Sequence, residues 1–402
     1  TQWHTAHKNK EDLLERFDNP KDVDVKIARI VNLILNSRAT VLFTGAGLST
    51  SAGIPDFRGP KGVWTLRAQG KRCKGGVSTL KAVPTPSHMA IVEMLNKGIL
   101  SYVISQNVDG LHRRSGVHGQ QISELHGNTN LERCQLCTKE FLRDTRVRTA
   151  CGVKEHHTGN KCENCGGELL DTIVNFGEQL PEEPLNKAYG WSYKADLHIV
   201  LGSSCTVSPA NEMPQITAQS NGKLVIINLQ NTPLDKLADV KLHMKCDEAL
   251  TRITDALGLR IPPFLLTRRV RVVKKKRSLI VRGVDSDGTP YKFLPRVRMF
   301  LPGQNSPKSL VEDPNEPMSI KMDKYCEGTA KIELEFSGHY GEVPHVITFD
   351  IDRSRREYWQ QYVLQFNPTT REWDSFVECM SEDQIVVDDM PIQQPRKKVS
   401  VC

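Results

Sequence analysis

Ala39-Thr40-Val41-Leu42-Phe43-Thr44-Gly45-Ala46-Gly47-Leu48-Ser49-Thr50 is the stretch on which the fold class turns. Its first six residues have the β-branched and aromatic content of a buried strand, and the next three form a glycine turn that reads as feeding a helix. Glycines at such a turn let backbone N–H groups approach a pyrophosphate, and a helix N-terminus would add a favourable dipole. The third glycine of the usual dinucleotide fingerprint would stand where Thr50 is found, and no acidic ribose ligand follows about 20 residues on. Alone, Gly45, Ala46, Gly47 and Thr50 support either a phosphate cradle or a plain tight turn.

Upstream, residues 11–37 carry apolar residues near a 3.6 period and read as helix. Downstream, strand patterns at 102–105, 172–176, 197–201 and 224–229 alternate with helical ones at 87–97, 187–194 and 247–257. Strands alternating with helices imply an α/β fold with a Rossmann-like parallel sheet. Gly258 and Pro262-Pro263 stop the last helix, so the first unit is expected over 1–263.

Past 263 the pattern changes. Seven of the ten residues 268–277 are Lys or Arg, interleaved with Val270, Val272 and Val273. This run reads as a basic linker, or in part as a strand with a basic face. Alternating segments at 279–281, 331–336, 346–351 and 358–366, separated by turn residues, imply a C-terminal antiparallel β domain of sandwich type over 264–402. Residues 302–317 read as a loop and 391–402 as a frayed basic tail. Asp285-Ser286-Asp287-Gly288 shares the start of a calcium loop but lacks its later Glu, so a hairpin turn is expected.

The 402 residues are 38% hydrophobic and 25% charged, the balance of folded domains rather than of a disordered or collagen-like chain. No apolar run approaches the ~20 residues of a membrane span, so no membrane partner is expected. A net charge of +7 suits an anionic partner without identifying one. The N-terminus, Thr1-Gln2-Trp3-His4, has neither Met nor a signal-peptide apolar region and reads as that of a fragment.

There are 11 cysteines in a chain far too large to need disulfide staples, which points to a reducing compartment. Four form two C-x-x-C pairs, Cys134/Cys137 and Cys162/Cys165, separated by 24 residues. Two such pairs suit a closed tetrahedral zinc site of four thiolates, with no open position for water, hence structural. This zinc module is expected at about 129–168, inserted in the first unit. Cys151, His156 and His157 lie between the pairs as substitute ligands.

Further motifs follow the glycine turn in order. They are Ile54-Pro55-Asp56-Phe57-Arg58-Gly59, Gly62-Val63-Trp64-Thr65, Ser105-Gln106-Asn107-Val108-Asp109-Gly110-Leu111-His112 and Glu124-Leu125-His126-Gly127-Asn128. Then come Val174-Asn175-Phe176-Gly177-Glu178, Leu201-Gly202-Ser203-Ser204 and Asn228-Leu229-Gln230. Together these closely resemble the sirtuins, the NAD-dependent protein-lysine deacylases, over about residues 20–263. The short loop after Gly59, and the stretch 169–174 before the Phe-Gly-Glu, are most similar to the nuclear branch and within it the nucleolar member. Residues 264–402 lie outside the resemblance.

The resemblance implies that NAD is a co-substrate: the nicotinamide–ribose bond breaks and the acyl-lysine oxygen attacks the ribose. Asn107 and Asp109 match the nicotinamide pocket. His126 matches the general base, a role an imidazole suits at neutral pH. Phe57 matches a shield over the reacting ribose, Arg58 a residue ordering the cofactor loop, and Trp64 a neighbour of the ribose. Gln106 matches a contact to the nicotinamide ribose, and Gly202 and Ser204 contacts to the phosphates or adenosine ribose. Asn228 and Gln230 match adenosine-ribose contacts, and Cys246 a position whose backbone meets adenine. Val174, Phe176, Gly177 and Glu178 would flank the acyl-lysine channel, where an extended peptide can add as a strand. The implied partner is an acylated lysine protein, such as a histone, with nucleosome or DNA contact through the basic linker and a nuclear location. Protein mono-ADP-ribosyl transfer at the same site, and a chromatin-binding scaffold, are the alternatives.

Overall fold

The computed structural model describes residues 11–73, 75–147, 152–304, 306–311 and 318–378. Cys151, the tail 391–402 and positions 305 and 312–317 of the expected loop lie outside them. Helix α1 (Pro20–Asn36) leads into β1 (Thr40–Thr44), the strand of the opening stretch. Then come α2 (Val63–Ala68), α3 (Pro86–Asn96), β2 (Tyr102–Ser105), α4 (Leu111–Ser115) and β3 (Ile122–Glu124). An insertion carries β4 (Leu131–Cys134), β5 (Glu140–Leu142), β6 (His157–Lys161) and β7 (Glu168–Asp171). The chain returns through α5 (Glu182–Lys194), β8 (Leu197–Leu201), α6 (Glu212–Gln219), β9 (Lys223–Ile227), β10 (Val240–Leu242) and α7 (Cys246–Ala256).

Six strands form one parallel sheet in the order β10-β9-β8-β1-β2-β3. All five residues of β1 are buried, as a strand covered on both faces requires. On one face Leu42, Val103 and Ile199 pack with Ile30, Ile91 and Leu250 of α1, α3 and α7. On the other, Val41, Phe43 and Val200 pack with Ala188 of α5 and Met213 of α6. The insertion is a separate antiparallel sheet, β5-β4-β7-β6. No helix among the described residues is long and apolar enough to cross a membrane.

Three sequence expectations shift. The helix expected from residue 11 starts at Pro20, because Asn19 caps it by accepting the Asp22 N–H at 3.0 Å and Pro20 suits a first turn. Before it, the Arg16 and Asp18 N–H groups bond instead to Leu229 and His243 carbonyls. The strand expected at 172–176 is an irregular segment following β7. The glycine turn feeds two 3-10 turns, Ala46–Leu48 and Thr50–Ala52, rather than an α-helix. There Thr50 Oγ1 bonds the Gly47 carbonyl at 3.0 Å, a local bond that competes with helix, and Gly53 turns left-handed at φ 80°.

The remaining strands are β11 (Leu266–Lys275), β12 (Ser278–Val284), β13 (Arg296–Phe300), β14 (Lys308–Val311) and β15 (Met318–Lys321). They continue with β16 (Gly328–Glu335), β17 (His345–Ile351), β18 (Glu357–Asn367) and β19 (Glu372–Glu378). Two antiparallel sheets, β15-β12-β11-β18-β19 and β14-β13-β16-β17, close over one core that includes Val270, Val272, Leu279, Val297, Ile332 and Phe349. Strand β14 falls in what reads from sequence as a loop, while 285–288 is the expected turn, with Asp285 N–H on Thr289 O at 2.7 Å.

The basic run is not a linker. Strand β11 is interior, bonded to β12 and β18, and its burial alternates along its whole length. Arg268 and Lys274 share the core-facing side with Val270 and Val272, and each has a partner. The Arg268 guanidinium bonds the Asp144 carboxylate and the Tyr291 hydroxyl, the latter at 2.7 Å, while Lys274 Nζ bonds the Arg355 carbonyl. On the other face Arg271 bonds Gln361 at 2.7 Å and stacks 4.7 Å from the Trp359 ring.

The sandwich also touches the parallel-sheet half. His339 Nε2 donates to the Asp144 carbonyl at 2.7 Å. Arg114 of α4 donates to the Tyr340 hydroxyl at 2.9 Å, and that hydroxyl donates to Ala82 O at 3.0 Å.

Candidate active site and metal centre

In the parallel sheet the strand order reverses between β1 and β8, and the crevice beyond their C-terminal ends is where such a sheet binds ligands. Two turns meet there backbone to backbone. A Cβ on Gly45 would lie 2.7 Å from the Gly202 carbonyl oxygen, and one on Gly47 would lie 2.8 Å from Gly202 Cα. The Gly47 N–H donates to Gly202 O at 2.9 Å. Side chains are excluded, so the crevice floor is peptide groups.

Asn107 and Asp109 follow β2 and are buried at the crevice. The Asn107 amide donates to Gly45 O at 3.0 Å. Asp109 accepts from Ser49 Oγ at 2.7 Å and from the Leu111 N–H at 2.8 Å. Gln106 donates to Ser203 Oγ at 2.7 Å, joining the ends of β2 and β8. His126 lies in the turn after β3, with Nδ1 3.0 Å from the Gln106 carbonyl. Burial is the largest influence on its imidazole and, with the Arg58 charge, holds it below its ordinary pKa against the Gln106 bond.

The turn is fixed from its other side. Gly127 has φ 81°, and a Cβ there would lie 1.8 Å from the Thr172 carbonyl oxygen. That approach lets the Val174 N–H bond His126 O at 3.1 Å, laying the irregular segment beside the histidine.

Phe57 stacks on Trp64 at 5.6 Å between centroids, and Trp64 meets Phe176 edge-on at 5.9 Å. Phe57 and Phe176 are 38% and 49% exposed, so this aromatic group forms part of the surface rather than core. Gln230 donates to the Arg58 carbonyl at 3.4 Å and Asn228 to Gln230 O at 2.9 Å, which ties β9's end to the loop carrying Arg58. Ser204 exchanges a bond with Thr206 at 2.9 Å. The Cys246 thiol is buried at the start of α7, and burial pushes it up to about 12.

Glu178 turns toward the insertion. It bonds His156 Nε2 at 3.0 Å and the Lys154 and Asn175 N–H groups at 2.7 and 2.6 Å. Its carboxyl is held down to about 2, the hydrogen bonds outweighing the upward push of burial. His156 Nδ1 also meets Asp171 at 3.1 Å, so this histidine is occupied away from the cysteines.

The four cysteines sit at two hairpins, Cys134 ending β4 and Cys137 between β4 and β5, Cys162 and Cys165 between β6 and β7. Their sulfurs all lie within 4.8 Å of one another, with closest approaches of 3.5 and 3.6 Å. Disulfide sulfurs would be near ~2.0 Å, whereas tetrahedral thiolates about 2.3 Å from zinc stand ~3.8 Å apart. The donor set therefore fits a structural zinc.

Sequence reasoning missed Ser49 and Ser203, the hydroxyls that position Asp109 and Gln106. Both lie inside the quoted motifs, but a small polar residue carries no periodicity to mark it. It also missed Glu124, two residues before His126, whose carboxyl burial pushes up to about 7 and which accepts from Asn128 at 2.9 Å.

Residues 71–209 match the Sir2 family model. The chain is 40% identical over 320 residues to the NAD-dependent protein deacetylase SRT1 of Oryza sativa subsp. indica, covering 77% of this chain and 65% of that protein. It is 44% identical over 256 residues to SRT1 of Arabidopsis thaliana, covering 63% of this chain and 54% of that protein. To the NAD-dependent protein deacetylase Sirt6 of Drosophila melanogaster it is 40% identical over 258 residues, covering 62% of this chain and 81% of that protein. The chain thus spans less than two thirds of the two plant proteins. The 77% shared with the rice protein exceeds what residues 1–263 can supply, so the likeness continues into the β-sandwich, contrary to the sequence expectation.

Proposed function

The chain belongs to the Sir2 family, and from that premise we propose that it removes acyl groups from protein lysines at the expense of NAD. The products are nicotinamide, the free lysine and O-acyl-ADP-ribose. NAD, when bound, supplies a ribose carbon that becomes electrophilic as nicotinamide leaves. The floor of Gly45, Ala46, Gly47 and Gly202, with Thr50 and Ser204 at its rim, is closed by the Gly45, Gly47 and Gly202 N–H groups bonding within the fold, and the absence of side chains on those glycines leaves room for the phosphates to lie against it. Asn107 and Asp109, locked by Gly45 and Ser49, wall the nicotinamide pocket, and Gln106 faces the adjoining ribose. Asn228 and Gln230 form the adenosine-ribose side, with Cys246 backbone near adenine, and Arg58 orders the cofactor loop that Gln230 holds through the Arg58 carbonyl. Phe57 and Trp64 cover the reacting ribose, and Val174, Phe176, Gly177 and Glu178 border the channel for the acyl-lysine stem.

The observation that carries this reading is His126. Its Nδ1 is committed to the Gln106 carbonyl, which can only accept, so Nε2 bears the lone pair. A neutral imidazole so oriented takes the proton of a ribose hydroxyl. Cys134, Cys137, Cys162 and Cys165 would hold a zinc ion whose role is structural, since four thiolates leave no open position. The substrate class is an acylated lysine in a protein, and we assign histones and a nuclear location on the resemblance to the nuclear branch.

The test is mass spectrometry after incubating the full chain with NAD and acylated histone-tail peptides. O-acyl-ADP-ribose formation, reduced about 10²–10⁴-fold by His126→Ala, is expected. ADP-ribose attached to protein would favour the transferase reading, and neither product would favour the scaffold.

A further inference from the structure

The β-sandwich has a strongly basic tip, remote from the parallel sheet. Eight residues of β11 and its turn separate Arg268, at the contact with Asp144, from Lys276, about 26 Å at ~3.3 Å per residue. Three turns converge beyond that distance: 276–277 between β11 and β12, 322–327 between β15 and β16, and 352–356 between β17 and β18. They are stitched by backbone. The Lys276 N–H donates to Arg356 O at 2.8 Å and the Met322 N–H to Arg277 O at 2.7 Å. Side chains join them as well, since the Arg353 guanidinium lies 5.5 Å and the Lys324 ammonium 5.2 Å from the Tyr325 ring.

Lys276, Arg277, Lys321, Lys324, Arg353, Arg355 and Arg356 are all exposed here. Among the described residues none of them forms an ion pair, whereas neighbouring Lys275 is 3.5 Å from Glu357. Of the acids in these turns Glu327 is exposed, and the other two also bond their own turns. Asp323 accepts the Tyr325 N–H at 2.9 Å, and Asp352 accepts the Ser354 N–H and hydroxyl at 2.8 and 2.6 Å. The fold thus gathers cations from three distant parts of the chain, and they outnumber the acids of the same turns, Asp323, Glu327 and Asp352, leaving a net positive charge at a cost in mutual repulsion.

We propose that this tip is a docking surface for double-stranded nucleic acid, held through the phosphate backbone without regard to sequence. A duplex carries a phosphate charge every ~1.7 Å of its axis, a density that matches an array of arginines and lysines spread over three turns. A single strand would call for several stacked aromatics, and Tyr325, 66% exposed, is the one large aromatic standing out among these cations. Of the basic run 268–277 only Lys276 and Arg277 belong to this surface, whereas Arg271 and Lys274 are engaged within the sandwich. The proposal is independent of the catalytic reading.

The test is fluorescence anisotropy of the full chain with a labelled duplex of roughly 20 base pairs, across salt from about 50 to 200 mM. The variant combines Lys276→Gln, Lys324→Gln, Arg353→Gln, Arg355→Gln and Arg356→Gln. A control combines Lys21→Gln, Lys97→Gln, Lys161→Gln, Lys223→Gln and Lys236→Gln, five exposed lysines elsewhere. Each lost phosphate contact removes about 0.9 from the log–log salt slope, so the variant should bind at least about tenfold more weakly with a slope flatter by two or more. The control should follow the wild type, and both variants should keep the wild-type melting curve. Should the combined variant melt early, Lys324→Gln with Arg353→Gln carries the same comparison. Superimposed curves, or equal weakening in the control, would overturn the proposal. So would binding of an acidic peptide in place of the duplex, which would assign the tip to a protein partner.

Discussion

A carbonyl oxygen has no proton to give, so the contact between Gln106 O and His126 Nδ1 decides the tautomer of the ring. Burial and the Arg58 charge then favour the neutral form over the imidazolium. The sign follows: a histidine pKa below 6.5 leaves the base form dominant at pH 7 and moves protonation to more acid solution. The acid limb of kcat/KM should therefore fall below pH 6.5. A pH–rate profile between about pH 5 and 8 checks this; a limb centred above 6.5 counts against His126 as the base. His126 itself is legible in Glu124-Leu125-His126-Gly127, because the motif is local. Its tautomer is not, because Gln106 is 20 residues away and on another strand. The same holds for the pairing of Ser49 with Asp109, which only the parallel register of β1 and β2 creates.

Among elements, the cysteine-bearing insertion is small. Its sheet has four short strands, and its buried apolar cluster is Cys134, Phe141, Cys162 and Leu169. A core of that size cannot hold the hairpins without a further crosslink. Metal removal, or Cys134→Ala, should therefore lower the melting temperature by on the order of 10 °C, since structural zinc contributes its binding energy to folding. Metal analysis together with melting curves before and after chelation checks this, and an unchanged curve would exclude a structural metal. The spacing of the cysteines was readable because ligand geometry is written into two short turns. The segment 172–176 has the apolar composition of a strand without forming one, because that composition serves another purpose. It lies against the His126 turn, where Gly127 makes room for its backbone.

For the whole molecule, the joint between the parallel sheet and the sandwich is polar and buried. Arg268 and Asp144 are 5% and 7% exposed, with Tyr291 and His339 completing the group. Removing one member leaves the other charged and enclosed, so Arg268→Ala should destabilise the protein by about 3–5 kcal/mol. Arg268→Met combined with Asp144→Leu should cost much less, since no buried charge is stranded. Urea unfolding of the two variants makes the comparison, and equal losses would mean that the pair acts through packing alone. Sequence reading recovered the parallel sheet and the sandwich, each from local periodicity. For 268–277 the sequence leaves a linker and a strand with a basic face both open, because a cluster of cations normally stays in water while the interleaved valines suit a strand, and the strand is what forms. What separates this run from a linker is a set of partners at 144, 291, 355 and 361, too far away in sequence to be seen.

Strand β11 also bears on how reliably the chain finds its native arrangement. Its valines alone would tolerate a shift, since Val272 and Val273 are adjacent and point to opposite faces. A one-residue slip in one direction would put Arg269 and Arg271 into the buried places of Val270 and Val272 and leave Asp144 facing Thr267, and in the other direction would put Arg271 into the buried place of Val270. The charges therefore proofread the strand during folding. They make the misaligned sandwich a high-energy trap rather than a competing product.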